Sequence, residues 1–322
     1  MSIIGWQPGN RGRKKTRFHY APKAKQKQRY LLLFAALFCG VMLVVALSQL
    51  IGYVGDLASS RRRTEELRDV YYAAQETQTP APTEWAATPA PEITPVPTAK
   101  PPILTALHYP GNPGAKVQER FAALQTKNKD ILGWLSIGTH LDEPVVQRDN
   151  EYYLRRDYLG NKNNNGTLFL DQSITWQTRP YTLMIYGHNM KSGAMFGHLK
   201  SYEKYDYLLD YGIITFDTAY ENGRYVVFAV GTYSMNGTGS HPLNLSRLDS
   251  RTVSVREKEI ARLMKGAVTK APVDVQADDQ LLLLITCVDD ENDRRVLAAR
   301  RVRENENEAD LLGRMALARP DY

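Results

Sequence analysis

Cysteine is scarce in this chain: its 322 residues include only two, Cys39 and Cys287. Cys39 lies inside a long apolar stretch near the N-terminus, so Cys287 is the only thiol in the rest of the chain. A disulfide within that larger part is therefore excluded. A lone thiol is either buried and inert or chemically reactive. The first alternative predicts a structural residue and the second a catalytic one.

Common metal-binding and nucleotide-binding motifs are also absent. The sequence has no CxxC pair, no HExxH, no P-loop, no GxGxxG and no internal repeat. Nothing in the pattern therefore indicates a zinc site or a nucleotide-binding domain, and we expect no cofactor.

Acidic residues are missing from residues 1–29, which hold nine of the 41 Lys and Arg residues. Residues 30–54 carry no charge, and about 20 such residues suffice for a helix to cross a bilayer. The positive-inside rule then predicts a cytoplasmic tail, a single transmembrane helix in contact with lipid, and an extracellular remainder. An uncleaved anchor is favoured over a signal peptide because the apolar run is long and the following GDLASSRRR is a poor cleavage site.

The basic tail accounts for the positive net charge. Without its nine cations, the rest of the chain carries 32 Lys and Arg residues against 35 Asp and Glu residues. This remainder is slightly acidic, so we expect no nucleic-acid partner.

Three further segments follow the apolar stretch. Residues 55–79 have helical composition and predict a stalk. Residues 80–105 form a Pro/Thr/Ala-rich linker, with eight of the 17 prolines between positions 80 and 102. Residues 106–322 are long enough for a single catalytic domain with one core.

The pattern within residues 106–322 is mainly β. VQERFAALQTKNKDILGWLSI predicts one or two short helices leading into a strand, and REKEIARLMKGAV predicts an internal helix from Arg256 to Val268. Seven short strands are predicted by PVVQ, GTLFLD, YTLMIYGH, GIITFD, RYVVFAVGTY, QLLLLITC and RRVLAARRV. Many short strands with few helices favour a β-barrel or sandwich.

Two of the predicted strands end in chemically reactive residues. TLMIYGH ends at His188 and LLLLITC ends at Cys287, while Arg294 and Arg295 begin the next strand. An imidazole and a fixed positive charge both favour a thiolate, and a guanidinium can stabilise an oxyanion. Cys, His and Arg at one rim of a barrel would form a complete set for acyl transfer.

Each of these residues also has a purely structural interpretation. A free cysteine is often buried, and an isolated histidine is more often structural or exposed than catalytic. The two arginines could be solvated or paired with the nearby acidic residues. His198 and His241 are interpreted as solvated loop residues.

The strings YGHNM and ITC, with Arg seven or eight positions after the cysteine, resemble the sortase family of cysteine transpeptidases. DILGWLSI, DEPVVQ, DNEYYLRRD and YGHNMKSGAMFGHLKSY are similar to class B sortases in particular. The resemblance covers most of residues 121–302. It implies a sortase-like β-barrel with flanking short helices, preceded here by the single N-terminal transmembrane helix.

The resemblance also implies an activity and partners. Cys287 would attack the carbonyl after Thr in the C-terminal sorting signal of a secreted protein and form a thioester. His188 would protonate the leaving amine, and a peptidoglycan precursor amine would then resolve the thioester. Aligning Ala299 with the family pattern makes Arg294 the catalytic arginine, whereas the apolar run after the pair favours Arg295.

Two departures from the family pattern concern substrate contact. Ile285 stands where class B members usually carry a small polar residue, and GTYSMNGTGSHPLNLSRL is too unlike the family to carry residues over. Three alternatives stay open: a cysteine peptidase that hydrolyses its thioester, a non-catalytic membrane-tethered binding domain, and a pilus-type sortase. The last is disfavoured because ENENEADLLGRMALARPDY is too polar for a second membrane helix.

Overall fold

The computed structural model describes residues 23–76, 102–112, 114–235, 237, 239–287 and 292–320. Most of the predicted tail (1–29) and of the predicted linker (80–105) lies outside these residues. The chain divides into two compact units, Met1–Val54 and Gly55–Tyr322.

The described residues form six α-helices, nine strands and two 3₁₀ turns. The helices are α1 (Lys23–Glu76), α2 (Glu119–Gln125), α3 (Tyr205–Asp210), α4 (Leu245–Leu248), α5 (Val253–Gly266) and α6 (Glu308–Leu317). The strands are β1 (Ile131–Ile137), β2 (Leu141–Val146), β3 (Leu168–Leu170), β4 (Thr182–Tyr186), β5 (Ile213–Thr218), β6 (Arg224–Ser234), β7 (Ala267–Lys270), β8 (Leu281–Cys287) and β9 (Asp293–Arg301). The 3₁₀ turns are Tyr152–Arg155 and Gly197–Glu203.

Eight strands close into a barrel, which confirms the predicted fold. Their order is β5-β1-β2-β3-β4-β8-β9-β6, and pairing between β5 and β6 joins the two ends. Closure leaves no open edge among these eight strands. The added strand β7 pairs with β6 outside the ring.

The strand β7 was missed by the sequence pattern. The predicted helix was extended to Val268, but α5 ends at Gly266 and the chain turns directly into β7. Val268 is an exposed residue of this short strand. Its apolar side chain matched the helical pattern, and the predicted end of the helix was therefore wrong.

The apolar runs of the sequence become the barrel core. In β8 the side chains from Leu281 to Leu284 are all fully buried. Such a strand is buried on both faces, which is why it reads as a continuous apolar run rather than an alternating one.

The first part of α1 carries exposed apolar side chains from Tyr30 to Val54. Among the described residues this is the one helix long and apolar enough to cross a membrane. One N-terminal apolar helix of this kind fits a membrane anchor.

The second part of α1 packs on the barrel, although the sequence pattern predicted a stalk. Thr64, Leu67 and Tyr71 are buried, and the Tyr71 ring stacks on Trp134 of β1 at a centroid distance of 4.5 Å. The spacing i, i+3, i+7 puts all three on one side of the helix. The charged residues between them hid this narrow stripe in the sequence pattern.

Glu143 of β2 lies beneath α1 and predicts a pH-dependent stability. The Thr64 hydroxyl donates to Glu143 Oε2 at 2.8 Å. Burial raises the pKa of this carboxyl to about 7, against the opposing effects of the Thr64 hydrogen bond and the Arg68 charge. The folded chain thus keeps a proton that the unfolded chain releases near its ordinary pKa, so the free energy of unfolding falls as the pH rises through this interval.

We expect Glu143→Gln to raise the free energy of unfolding by about 1–2 kcal/mol at pH 8 and to change it little at pH 4.5. The amide keeps an oxygen to accept from Thr64 and removes the buried charge. Denaturant titrations at the two pH values measure the effect, with Glu65→Gln at an exposed position of α1 as the control. An equal gain at both pH values would contradict the assignment.

Candidate active site

Strands β4 and β8 bring the ends of two apolar runs together. They are parallel neighbours, with Tyr186 opposite Ile285. The pairing continues past β4, because the Gly187 amide donates to the Ile285 carbonyl at 3.2 Å. His188 and Cys287 therefore follow at the same end of adjacent strands.

Gly187 allows the chain to pass close to neighbouring side chains just before the histidine. A Cβ at this position would lie 2.5 Å from Leu168 Cδ2 and 2.8 Å from Phe196 Cδ2. Any larger residue would force these side chains or the backbone to shift. The glycine thus fixes where His188 leaves the strand.

The half-buried ring of His188 is held by a backbone carbonyl. Its Nε2 lies 2.6 Å from the oxygen of Leu154. A carbonyl oxygen can only accept, so Nε2 carries the hydrogen in this contact and Nδ1 is the basic nitrogen of the neutral ring. The backbone is also tied, since the Phe196 amide donates to the His188 carbonyl at 3.0 Å.

Cys287 is the last residue of β8, and its backbone pairs with Arg294 of β9. The side chain of Cys287 and residues 288–291 lie outside the described part of the structure. The predicted meeting of sulfur, imidazole and guanidinium therefore stays a prediction.

The two candidate arginines have different surroundings. Arg294 borders the same cavity as His188, and its Nη1 donates to the Asp293 carbonyl at 2.9 Å. Arg295 is buried and forms an ion pair with Glu203, with Nη2 and Oε1 3.0 Å apart. Successive residues of a strand face opposite sides of the sheet, which accounts for the separation.

The cavity next to His188 has a volume of about 280 Å³. Its lining residues come from β3, β4, β8, β9, the segment before β3 and the segment after β4: Asn150, Leu154, Phe169, Tyr186, Gly187, His188, Ile285, Thr286 and Arg294. Ile285 contributes an apolar wall at the position where class B sortases were expected to carry a small polar residue. Two larger clefts of about 470 and 530 Å³ share Pro110, Asn222 and Arg301 and include none of the candidate residues.

A polar group beside the cavity was not singled out from the sequence. Tyr186 donates to Asp171 Oδ2 at 3.0 Å, and Asn150 donates to the same oxygen at 3.2 Å. Burial and the Asp171 charge raise the pKa of Tyr186, while the positive charge of Arg294 acts in the opposite direction. Tyr186 is the last residue of β4 and stands two residues before His188, and this spacing in the predicted strand YTLMIYGH could have indicated that both side chains lie on one face.

His198 and His241 lie apart from this cavity. His198 packs against His140 at a ring-centroid distance of 4.8 Å, and burial together with His140 lowers the pKa of His198. His241 is exposed. Within the described ranges, no three His, Cys, Asp or Glu side chains group together as metal ligands would.

The closed barrel and the sequence comparisons define a cysteine transpeptidase of the sortase type. A family described as the Sortase domain matches residues 137–302, about half of the chain. The chain belongs to the sortase family.

Within the sortase family, this chain is similar to class B members. Sortase B of Listeria monocytogenes is 30% identical over 178 residues, which cover 55% of this chain and 70% of that protein. Sortase B of Staphylococcus aureus is 27% identical and is covered over 75% of its length, against 58% of this chain. A solved Staphylococcus aureus sortase B–substrate complex has a TM-score of 0.53 and 26% identity, over 59% of this chain and 88% of that one.

Proposed function

We propose that this sortase is membrane-anchored, cleaves a C-terminal sorting signal after Thr, and transfers the resulting acyl group to a cell-wall amine. The main support is that His188 and Arg294 border one cavity, next to the backbone position of Cys287. Residues directly opposite in an antiparallel pair belong to the same face of the sheet, so positions 287 and 294 share a face.

In the proposed reaction the Cys287 thiolate attacks the carbonyl carbon after Thr. Arg294 stabilises the negative charge that develops on the carbonyl oxygen. The carbon–nitrogen bond then breaks, and the His188 imidazolium gives its proton to the leaving amine. A thioester between the signal and Cys287 remains.

An incoming amine completes the transfer. It attacks the thioester carbonyl while neutral His188 accepts its proton, and the sulfur leaves as a thiolate. We assign both proton transfers to Nδ1, since Nε2 donates to the Leu154 carbonyl. The cycle returns each group to its starting state.

The partners of this reaction are proposed from the relatives and the cavity. The substrate complex of Staphylococcus aureus sortase B supports a peptide signal as the substrate class. The apolar walls formed by Leu154, Phe169 and Ile285 suit an aliphatic side chain of such a peptide. The amine acceptor is proposed to come from a peptidoglycan precursor.

The topology is also a proposal. The nine cations of residues 1–29 would keep the tail in the cytoplasm and place the catalytic domain outside. The apolar helix would remain uncleaved and hold the enzyme at the cell membrane. Protease treatment of intact cells should then degrade the barrel and leave the tail protected.

The decisive test incubates the full chain in detergent with a library of pentapeptide motifs, with and without an added amine. Mass spectrometry identifies the cleaved bond and the new product. Cleavage after Thr with an amine adduct supports the proposal. Hydrolysis that no amine diverts would identify a cysteine peptidase, and no cleavage of any motif would favour a binding domain.

The two arginines should respond differently to substitution. We expect Arg294→Ala to lower kcat/KM by about 100- to 1,000-fold, because it removes the charge beside the developing oxyanion. Arg295→Ala should lower kcat/KM by less than about fivefold, because its guanidinium pairs with Glu203. Steady-state cleavage assays compare the two, and equal small losses would remove arginine from the mechanism.

A further inference from the structure

The segment between the 3₁₀ turn Tyr152–Arg155 and β3 lies between helix α1 and the His188 ring. We call residues 157–167 the bridging segment. One side of it contacts α1, and the other side contacts the backbone that holds His188. It therefore connects the helix to the candidate catalytic base.

The contacts on the α1 side are specific and polar. Ser60 Oγ accepts from Asn163 Nδ2 at 2.9 Å and from Asn165 Nδ2 at 3.4 Å. Arg63 forms an ion pair with Asp157. Each pair joins one residue of the helix to one of the bridging segment.

Because these polar groups are buried, losing one of these contacts would destabilise the segment. Asn163 and Asn165 are each 1% exposed, and Asp157 is 4% exposed. A buried amide or carboxylate that loses its partner retains its full desolvation cost. Ser60 and Arg63 therefore contribute to holding the bridging segment in this arrangement, together with Asp56 of the same helix, which accepts from Asn163 and Asn164.

The contacts on the other side reach the carbonyl that holds His188. The backbone N–H of Asn163 donates to the Arg155 carbonyl at 3.0 Å, and the backbone N–H of Thr167 donates to the Tyr153 carbonyl at 3.0 Å. Gly166 has a positive φ of 66°, and a Cβ there would lie 2.6 Å from the Leu154 oxygen. The bridging segment thus lies directly against the acceptor of the His188 hydrogen bond.

We propose that Ser60 and Arg63 of α1 are positioning residues for His188, acting through the bridging segment and the Leu154 carbonyl. The helix is then a part of the catalytic apparatus as well as a connection to the anchor. A shifted Leu154 carbonyl would release the Nε2 hydrogen and let the ring adopt its other tautomer. This inference rests on the proposed role of His188 in proton transfer.

Full-length variants in detergent micelles test the proposal by two independent measurements. Histidine-selective ¹⁵N labelling reports the tautomer of His188, whose signals are identified by their loss in His188→Gln. Peptide cleavage with an added amine reports kcat and KM separately. The variants are Ser60→Ala and Arg63→Ala, with Arg63→Lys as the conservative replacement and Arg62→Ala, at an exposed neighbouring position, as the control.

In the unmodified chain we expect the neutral form of the His188 ring to carry its hydrogen on Nε2. Ser60→Ala and Arg63→Ala should show a mixture of tautomers and a kcat lowered by about 10- to 100-fold, with KM within about twofold. Arg63→Lys should restore most of the Nε2 tautomer and most of kcat. Arg62→Ala should have the same tautomer and the same kcat as the unmodified chain. Ser60→Ala removes a single hydroxyl and keeps the test valid if Arg63→Ala does not fold.

The proposal is overturned if Ser60→Ala and Arg63→Ala melt at lower temperature but keep the unmodified tautomer and kcat, because the helix is then only structural. A mixture of tautomers without any change in kcat overturns the catalytic part of the inference. Full activity of His188→Ala would instead refute the proposed function, while the tautomer signals would still report the coupling.

Discussion

Replacing Cys287 with Ala is expected to abolish cleavage of a sorting-signal peptide, with a loss of at least about 1,000-fold in kcat/KM. The change removes the only group in the proposed mechanism that can form a thioester. It also removes little volume, so the melting temperature should change by only a few degrees. Peptide cleavage followed by chromatography, together with thermal unfolding, measures both effects.

The chain contains a matched control for this experiment. Cys39→Ala removes the other thiol, which is exposed in the apolar part of α1. It should leave kcat/KM unchanged, and the thioester adduct detected by mass spectrometry should still form. Persistent turnover by the Cys287→Ala variant would refute the nucleophile assignment.

The substitution His188→Ala should lower kcat/KM by about 100- to 10,000-fold, the usual contribution of a general acid–base group. Without the ring, the leaving amine departs unprotonated and the incoming amine keeps its proton. We expect the thioester to accumulate even less than in the unmodified chain, because its formation is impaired first. Rapid-quench assays with mass spectrometry follow the adduct directly.

His241→Ala is the control for the histidine substitution, since that residue is exposed and lies apart from the cavity. Its kcat/KM should stay within about twofold of the unmodified chain, as for most exposed positions. If His188→Ala retained more than about a tenth of the activity, proton transfer would have to be assigned to another group.

Much of the barrel could be predicted from the sequence because its strands are short apolar runs bounded by polar turns. The runs that end at His188 and Cys287 became β4 and β8, and their parallel pairing placed both ends together. The helix α2 and the strand β1 also formed where the periodicity indicated.

Other features depend on partners that no local pattern reveals. The docking of α1 requires Trp134 and Asp217, which receive the ring and the hydroxyl of Tyr71. These partners lie far away in the sequence, so the helical composition of residues 55–79 indicated only a stalk. Strand alternation predicted that Arg294 and Arg295 lie on opposite faces of the sheet. The ion pair with Glu203 shows that Arg295 is on the face away from the cavity.

The parallel pairing of β4 with β8 has a consequence for how the enzyme is made. Paired residues such as Tyr186 and Ile285 are about a hundred positions apart, so a long loop must close before the two strand ends meet. A parallel pair of this kind forms slowly compared with a hairpin. Newly made chains should therefore gain activity only after the whole barrel has assembled, because the ends of β4 and β8 meet only then.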